Sequence, residues 1–255
     1  MKGADGKPRL VPRVVPGAGF HTREPQPGLF REFAKMPPKR DAIQAFAAQY
    51  GDLFSRYDPM QSAVRDDGTV SFGASLGAWT REIGDMCVLV ELWEQIQHKQ
   101  VAALKKVIKW AGNKKVGYSI KTPRRERSVT LAHVDIPETG LSRFSPKDVV
   151  LPARCALRLE INLRLAEHPT VPQLAWTPDT PSESGGRNQR IVFTPPHLLA
   201  ALWLWFARAV TSQFQLTECK ACGKYFQVGP GGRRADATTC SNACRQRKKR
   251  NYSVG

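Results

Sequence analysis

The stretch CKACGKYFQVGPGGRRADATTCSNACRQRKKR, residues 219–250, decides the fold of the C-terminal part of the chain. It contains two close cysteine pairs, and 17 residues separate one pair from the other. This grouping is typical of a structural zinc site, because zinc takes four tetrahedral thiolate ligands at about 2.3 Å and each pair provides two of them. We therefore predict one structural Zn2+ held by Cys219, Cys222, Cys240 and Cys244.

The segment around these cysteines, residues 216–255, is predicted to be a treble-clef-like zinc finger with four cysteine ligands and a basic tail. Gly223 relieves a knuckle at the first pair, a small hairpin follows over residues 224–234, and a helix from Ser241 carries Cys244. Such a short segment can build little core, so zinc binding is expected to supply its folding free energy. Two redox thiols, or four cysteines without metal, are the alternative interpretations.

The chain before this segment predicts a mostly helical domain with a small sheet, so the expected fold class is α+β. Apolar residues at steps of three and four indicate helices, and short alternating runs indicate strands. A polar stretch at residues 97–100 can divide the longest helix into two. One predicted helix begins at Asp41, and three others span residues 76–110, 152–167 and 195–215. The strand-like pieces are residues 116–120, 129–131 and 190–193.

Proline and glycine indicate the domain boundaries. Seven of the 19 prolines fall in residues 1–40, so this segment is predicted to be irregular chain lying on a domain. Residues 41–215 form the predicted α+β domain, in which residues 169–190 have the composition of a linker-like insertion. The zinc-finger segment over residues 216–255 completes the predicted organisation.

Positive charge is the second strong signal, with 39 Lys and Arg against 22 Asp and Glu and a formal net charge of +17. Residues 219–255 carry a net charge of +8 and residues 99–128 a net charge of +9. Concentrated cations bind phosphate, so nucleic acid is the expected partner, with double-stranded DNA favoured over RNA. Alternatively, each of these basic segments could simply be a solvated surface, and the basic C-terminal tail could be disordered. The candidate nucleic-acid-binding residues are Arg233, Arg234, Arg245, Arg247, Lys248, Lys249, Arg250, Lys105, Lys106 and Lys109.

Composition argues against a membrane or disulfide-stapled protein. The longest apolar run, residues 198–210, has 13 residues and contains Arg208, whereas a spanning helix needs about 20. The N-terminal residues contain no continuous apolar run of the kind found in secretory signals, so we expect a cytoplasmic protein with reduced thiols. Cys87 and Cys155 are then interpreted as buried packing residues.

Catalytic motifs are missing from the sequence. The five histidines are scattered, and no nucleophile elbow, Walker loop or dinucleotide fingerprint is present. We therefore expect a protein that is not an enzyme, although distant residues could still assemble an active site. A non-catalytic interaction adaptor is the other alternative, and the N-terminal domain could sense a small ligand or a protein partner.

Several stretches resemble one bacterial protein family. They are ECKACGKYF (218–226), RRADATTCSNACRQRKKR (233–250), FAAQYGDL (46–53), LGAWTREI (76–83), VELWEQI (90–96), LRLEINLRL (157–165) and PPHLLAALWLWFARAV (195–210). The chain is similar to CGNR-type zinc-finger proteins, whose N-terminal part is called ABATE. Here Arg245-Gln246-Arg247 follows Cys244 in place of the Gly-Asn-Arg that names the family. The resemblance implies the four zinc ligands, a finger of this class and a role in stress-linked transcription regulation.

Overall fold

The computed structural model describes residues 28–54, 62–64, 70–72, 74–111, 115–131, 144–145, 147–176, 189–211, 215–229 and 233–252. Within these ranges, short antiparallel sheets accompany a set of helices, which confirms the expected mixture of helix and small sheet. The helices are α1 (Leu29–Lys35), α2 (Arg40–Tyr50), α3 (Leu76–Gln97), α4 (Val101–Val107), α5 (Val150–Glu167), α6 (Leu198–Thr211) and α7 (Asn242–Tyr252). The strands are β1 (Ser62–Val64), β2 (Val70–Phe72), β3 (Ile108–Ala111), β4 (Lys115–Lys121), β5 (Glu126–Thr130), β6 (Val171–Trp176), β7 (Gln189–Thr194), β8 (Gln215–Glu218) and β9 (Tyr225–Val228).

The N-terminal body, as we call the described residues from 28 to 211, is built around α3. Ser75 begins this helix, since its Oγ accepts a hydrogen bond from the Ala78 N–H at 3.1 Å. Trp79 and Met86 on one face of α3 are fully buried. Helices α1 and α5 pack against α3, and α6 packs against α1 and α5. The predicted apolar stripe is therefore the face around which the core assembles.

The prediction of irregular chain over residues 1–40 is wrong at the C-terminal end of that segment. Residues 29–35 form α1, whose Phe30 and Phe33 are buried against aromatic rings of the core. Residues 1–27 lie outside the described residues. Proline richness hid this helix because its apolar face lies between proline-containing flanks.

The long predicted helix over residues 76–110 divides as its polar stretch suggested, but it also ends early. After α4, Ile108 to Ala111 form β3, which pairs antiparallel with β4. Lys109 therefore lies on a strand, not on a basic helical face. The spacing of apolar residues could not reveal this strand, because its pairing with β4 and the burial of Ile108 depend on residues later in the chain.

Residues 169–190 do not form a plain linker. Strands β6 and β7 pair over Val171↔Thr194 to Trp176↔Gln189, and residues 177–188 lie outside the described residues. The next helix, α6, begins at Leu198, not at residue 195, because the His197 Nδ1 accepts the Ala200 N–H at 3.1 Å.

The two cysteines outside the C-terminal pairs differ in exposure. Cys155 is buried on α5, as predicted, whereas Cys87 is exposed on α3, so its packing assignment is wrong. Cys87 lies one residue after the buried Met86 and thus at the edge of the apolar face. Among the described residues, none of the helices has the length and apolar character that crossing a bilayer requires.

Candidate metal centre and basic surface

The first cysteine pair lies in a knuckle between β8 and β9. These strands pair antiparallel, with Gln215 opposite Val228 and Glu218 opposite Tyr225. The Gly223 N–H closes the turn by donating to the Cys219 carbonyl at 2.8 Å, with a φ of 71° that favours glycine.

The hairpin predicted over residues 224–234 is thus misplaced, because β9 pairs with the strand before the knuckle. Arg233 still folds back on β9, since its N–H donates to the Gln227 carbonyl at 3.0 Å. It forms only an isolated bridge with Val228. The knuckle itself decides this pairing, because its tight turn brings β8 and β9 side by side.

The second pair lies at the entrance of α7, as predicted. Ser241 caps this helix: its Oγ accepts the Cys244 N–H at 3.1 Å, which holds Cys244 in the first turn. Cys240 lies just before the cap, and its N–H donates to the Cys219 Sγ at 3.3 Å. The cap and this hydrogen bond bring the two pairs together.

The four sulfur atoms of Cys219, Cys222, Cys240 and Cys244 lie within 4.8 Å of one another. The Sγ of Cys240 is 3.6 Å from that of Cys222 and 3.5 Å from that of Cys244. Four thiolates at 2.3 Å from one tetrahedral ion would be about 3.8 Å apart, and the two separations that involve Cys240 are close to that value. The predicted ligand set is therefore assembled and could hold a metal ion.

The protonation of the cluster is uneven. Burial raises the pKa of the Cys219 thiol, but N–H donors from residues such as Cys240 and Ala221 outweigh it and lower that pKa to about 6. Burial and the neighbouring sulfurs raise the pKa of Cys240 to about 12. A divalent metal ion would remove this imbalance, because thiolates bind the metal in their deprotonated form.

The predicted cations of the C-terminal module, as we call residues 215–252, follow this centre directly. Helix α7 continues to Tyr252, and Arg245, Arg247 and Arg250 are exposed on it. Lys249 belongs to the same helix, and the Lys248 Nζ lies 3.5 Å from the Thr238 Oγ1. Arg233 and Arg234 are exposed ahead of the second cysteine pair.

The second basic window, residues 99–128, is divided by the fold. Lys105 and Lys106 are exposed on α4, and the exposed Lys109 on β3 donates from its Nζ to the Lys105 carbonyl at 3.3 Å. Three arginines of the window instead face buried carboxylates, and they are Arg124, Arg125 and Arg127. The window therefore presents less free charge than its net +9 suggests.

The sequence analysis did not identify the buried carboxylates that pair with the arginines of this window. The Arg124 guanidinium lies 2.8 Å from the Glu82 Oε1 on α3, and the Arg127 Nε lies 3.5 Å from the Glu160 Oε1 on α5. Glu160 also accepts the Tyr118 hydroxyl at 2.8 Å. The sequence did contain a signal for these ion pairs: acidic residues lie within the apolar stripes of the helices, where a buried charge without a partner is costly.

A further ion pair joins α3 directly to α5. Arg164 donates to the Asp85 carboxylate, and both side chains are buried. Burial raises the pKa of Glu82 to about 7, although Arg124 and Arg164 oppose it. Together these groups, which we call the ionic cluster (Glu82, Asp85, Tyr118, Arg124, Arg125, Arg127, Glu160, Arg164 and Glu167), bind the β4–β5 turn to α3 and α5.

No protein-family model, curated protein or solved structure matches this chain. The resemblance to CGNR-type proteins therefore rests on the stretches quoted above.

Proposed function

We propose that the C-terminal module is a four-cysteine zinc finger that binds double-stranded DNA, and that the chain is a transcription regulator similar to CGNR-type proteins. The observation that carries this proposal is the position of α7: it begins at the metal centre and presents arginines to solvent. A helix held at one end by a metal loses less conformational freedom on binding than a free tail does.

Zinc is the proposed metal because of the donor chemistry. Four clustered sulfur donors suit zinc, whereas hard cations such as magnesium prefer oxygen. The buried residues of the module's small apolar cluster are Phe226, Val228 and two of the cysteines, Cys219 and Cys244. So small a core supports the view that zinc supplies the folding free energy.

The treble-clef class of the finger is part of the proposal. A knuckle with two ligands, a strand, a turn and a helix whose start holds the remaining ligands follow one another in the order typical of that class. The displaced hairpin is compatible with this order, because β9 still connects the knuckle to the turn before the second pair.

Metal analysis of the purified chain tests the zinc site. We expect one zinc per chain, loss of that zinc in Cys240→Ser, and retention of it in Cys87→Ser, an exposed thiol on α3. Zinc content that Cys240→Ser leaves unchanged would contradict the proposed ligand set.

Duplex binding as a function of salt tests the DNA proposal. Replacing Arg245, Arg247 and Arg250 by glutamine should flatten the slope of log affinity against log salt by about 0.9 for each phosphate that α7 no longer neutralises. Arg154→Gln/Arg158→Gln, which neutralises two exposed arginines on α5, is the control and should leave the slope unchanged. Equal slopes in all three proteins would refute the proposal, provided that zinc content is intact.

A protein-interaction adaptor is the second candidate function. The β6–β7 hairpin favours it, because Leu174 is 71% exposed and Phe193 is 48% exposed, which is unusual for large apolar side chains. Absence of duplex binding at low salt would favour the adaptor. Ligand or partner sensing by the N-terminal body, the cytoplasmic location and the absence of enzyme activity stay predictions.

A further inference from the structure

One aromatic side chain of the C-terminal module lies along the first helix of the body. A Cβ atom added to Gly28 would lie 2.4 Å from the Cβ of Tyr225, so the two backbones approach closely there. At the other end of α1, the Lys35 Nζ donates to the Tyr225 hydroxyl at 2.8 Å. Between them, the Arg31 guanidinium lies 5.3 Å from the Tyr225 ring and 4.8 Å from the Trp93 ring. Tyr225 therefore seats the module on α1.

Exposed cations flank the residues of this contact in both the module and the body. Lys224 precedes Tyr225 and is exposed. Lys35 is also exposed, and its hydrogen bond to Tyr225 raises its pKa, so that it keeps its charge. Lys39 and Arg40 follow at the junction of α1 and α2 and are exposed, beside one exposed acid, Asp41.

The junction has a further property that favours anions. Lys39 occupies the N-cap of α2, an 11-residue helix, and its side chain makes no capping hydrogen bond. The N–H groups of a first helical turn carry partial positive charge, which adds to the charges of Lys39 and Arg40. Arg31, in contrast, is paired with Glu94 at 3.2 Å and adds little free charge.

On the other side of the knuckle, Thr238 links the first cysteine pair to α7. The Lys220 N–H donates to the Thr238 carbonyl at 3.0 Å, and the Lys248 Nζ lies 3.5 Å from the hydroxyl of Thr238. Lys220 is exposed, as are the arginines of α7. Thr238 thus contacts both Lys220 of the knuckle and Lys248 of α7.

We propose that one continuous phosphate-binding surface, the basic track, runs from α7 across the knuckle to the junction of α1 and α2. Its cations are Arg245, Lys248, Lys220, Lys224, Lys35, Lys39 and Arg40. The inference rests on the proposed function, since its ligand is the backbone of the same DNA duplex, and it adds the α1–α2 junction as a second binding region. A duplex fits because its phosphates form an extended line of charge, and the contacts of Tyr225 with α1 join the module to the body that carries the junction.

Charge-matched double variants of the full zinc-loaded chain test the track. Lys39→Gln/Arg40→Gln removes two charges at the junction, and Arg154→Gln/Arg158→Gln removes two exposed charges on α5. Affinity for a fluorescent DNA duplex is measured by anisotropy at several salt concentrations, with zinc content and circular dichroism confirming the fold. For each phosphate that the junction no longer neutralises, the slope should fall by about 0.9, which is about an eightfold weaker affinity at 0.1 M salt if affinity at 1 M is unchanged.

Three outcomes would overturn the inference, and they separate it from the proposed function. If the junction variant matches the wild type while the α7 arginine variant loses slope, the track is wrong and the DNA-binding finger stands. If the junction variant and the α5 control lose affinity equally, the effect is one of net charge and the track is wrong. If the wild type does not bind the duplex at low salt, both proposals are wrong. Weaker binding confined to the junction and α7 variants supports the track.

Discussion

Replacing Asp85 by alanine removes the carboxylate that accepts a hydrogen bond from Arg164 inside the body. The two side chains are 0% and 1% exposed, so bulk water does not reach the pair. Arg164 retains Glu167 on its own helix, at 2.8 Å, and this carboxylate is 37% exposed. The substitution therefore leaves the buried guanidinium without its buried hydrogen-bond acceptor, while Glu167 and the nearby Glu82 remain as counter-charges.

The magnitude follows from that arrangement. Removing one partner of a buried ion pair lowers the free energy of unfolding by about 3–5 kcal/mol. Because Glu167 offsets part of this effect, we expect about 3 kcal/mol, a large fraction of the roughly 5–15 kcal/mol that stabilises a typical domain. Adding Arg164→Met should restore part of the stability, since the double variant has no unpaired buried charge at this position.

Urea unfolding followed by tryptophan fluorescence measures both effects. Lys121→Ala is the control, because the Lys121–Glu126 pair is 4.0 Å apart with side chains 81% and 63% exposed, and its removal should cost under about 1 kcal/mol. The reasoning is refuted if Asp85→Ala costs no more than Lys121→Ala, or if the double variant is less stable than Asp85→Ala alone.

Three further predictions concern single positions. Because burial raises the pKa of Glu82 to about 7, the wild-type free energy of unfolding should fall relative to Glu82→Gln as pH rises from about 4.5 through 7, and parallel pH profiles would contradict this. Gly28→Ala puts a methyl group 2.4 Å from the Cβ of Tyr225 at a φ of 92°, so hydrogen exchange of β9 should accelerate, and an unchanged rate would argue against the seating. Ser241→Ala removes the acceptor of the Cys244 N–H and should weaken the module by about 1 kcal/mol, which chelator competition for zinc would detect as faster metal release.

The metal ligands and the start of α7 were predictable because they depend on neighbours in the sequence. Cys240 and Cys244 lie one helical turn apart, and Ser241 between them is a residue type that caps helices. The hairpin of the module was predicted in the wrong place, because the pairing partner of β9 depends on which strand the closed knuckle brings beside it.

Helical periodicity predicted α3 and α5 but not the ionic cluster between them. Asp85 and Arg164 are 79 residues apart, and Tyr118 and Glu160 are 42 residues apart. In the sequence, arginines such as Arg124 look like free cations beside lysines. Contact with α3 and α5 makes them the partners of carboxylates that would otherwise be costly to bury.

By itself, the sequence determined the main helices, the grouping of four thiols and the excess of positive charge. Only the tertiary structure decided that Arg124 pairs with the buried Glu82 and that Lys35 meets Tyr225 of the module at the surface. Helix formation and the closure of a knuckle depend on interactions within a few residues. Whether a charge stays free depends on which distant segments exclude water around it, because desolvation and pairing change the energy of a charge far more than its neighbours in sequence do.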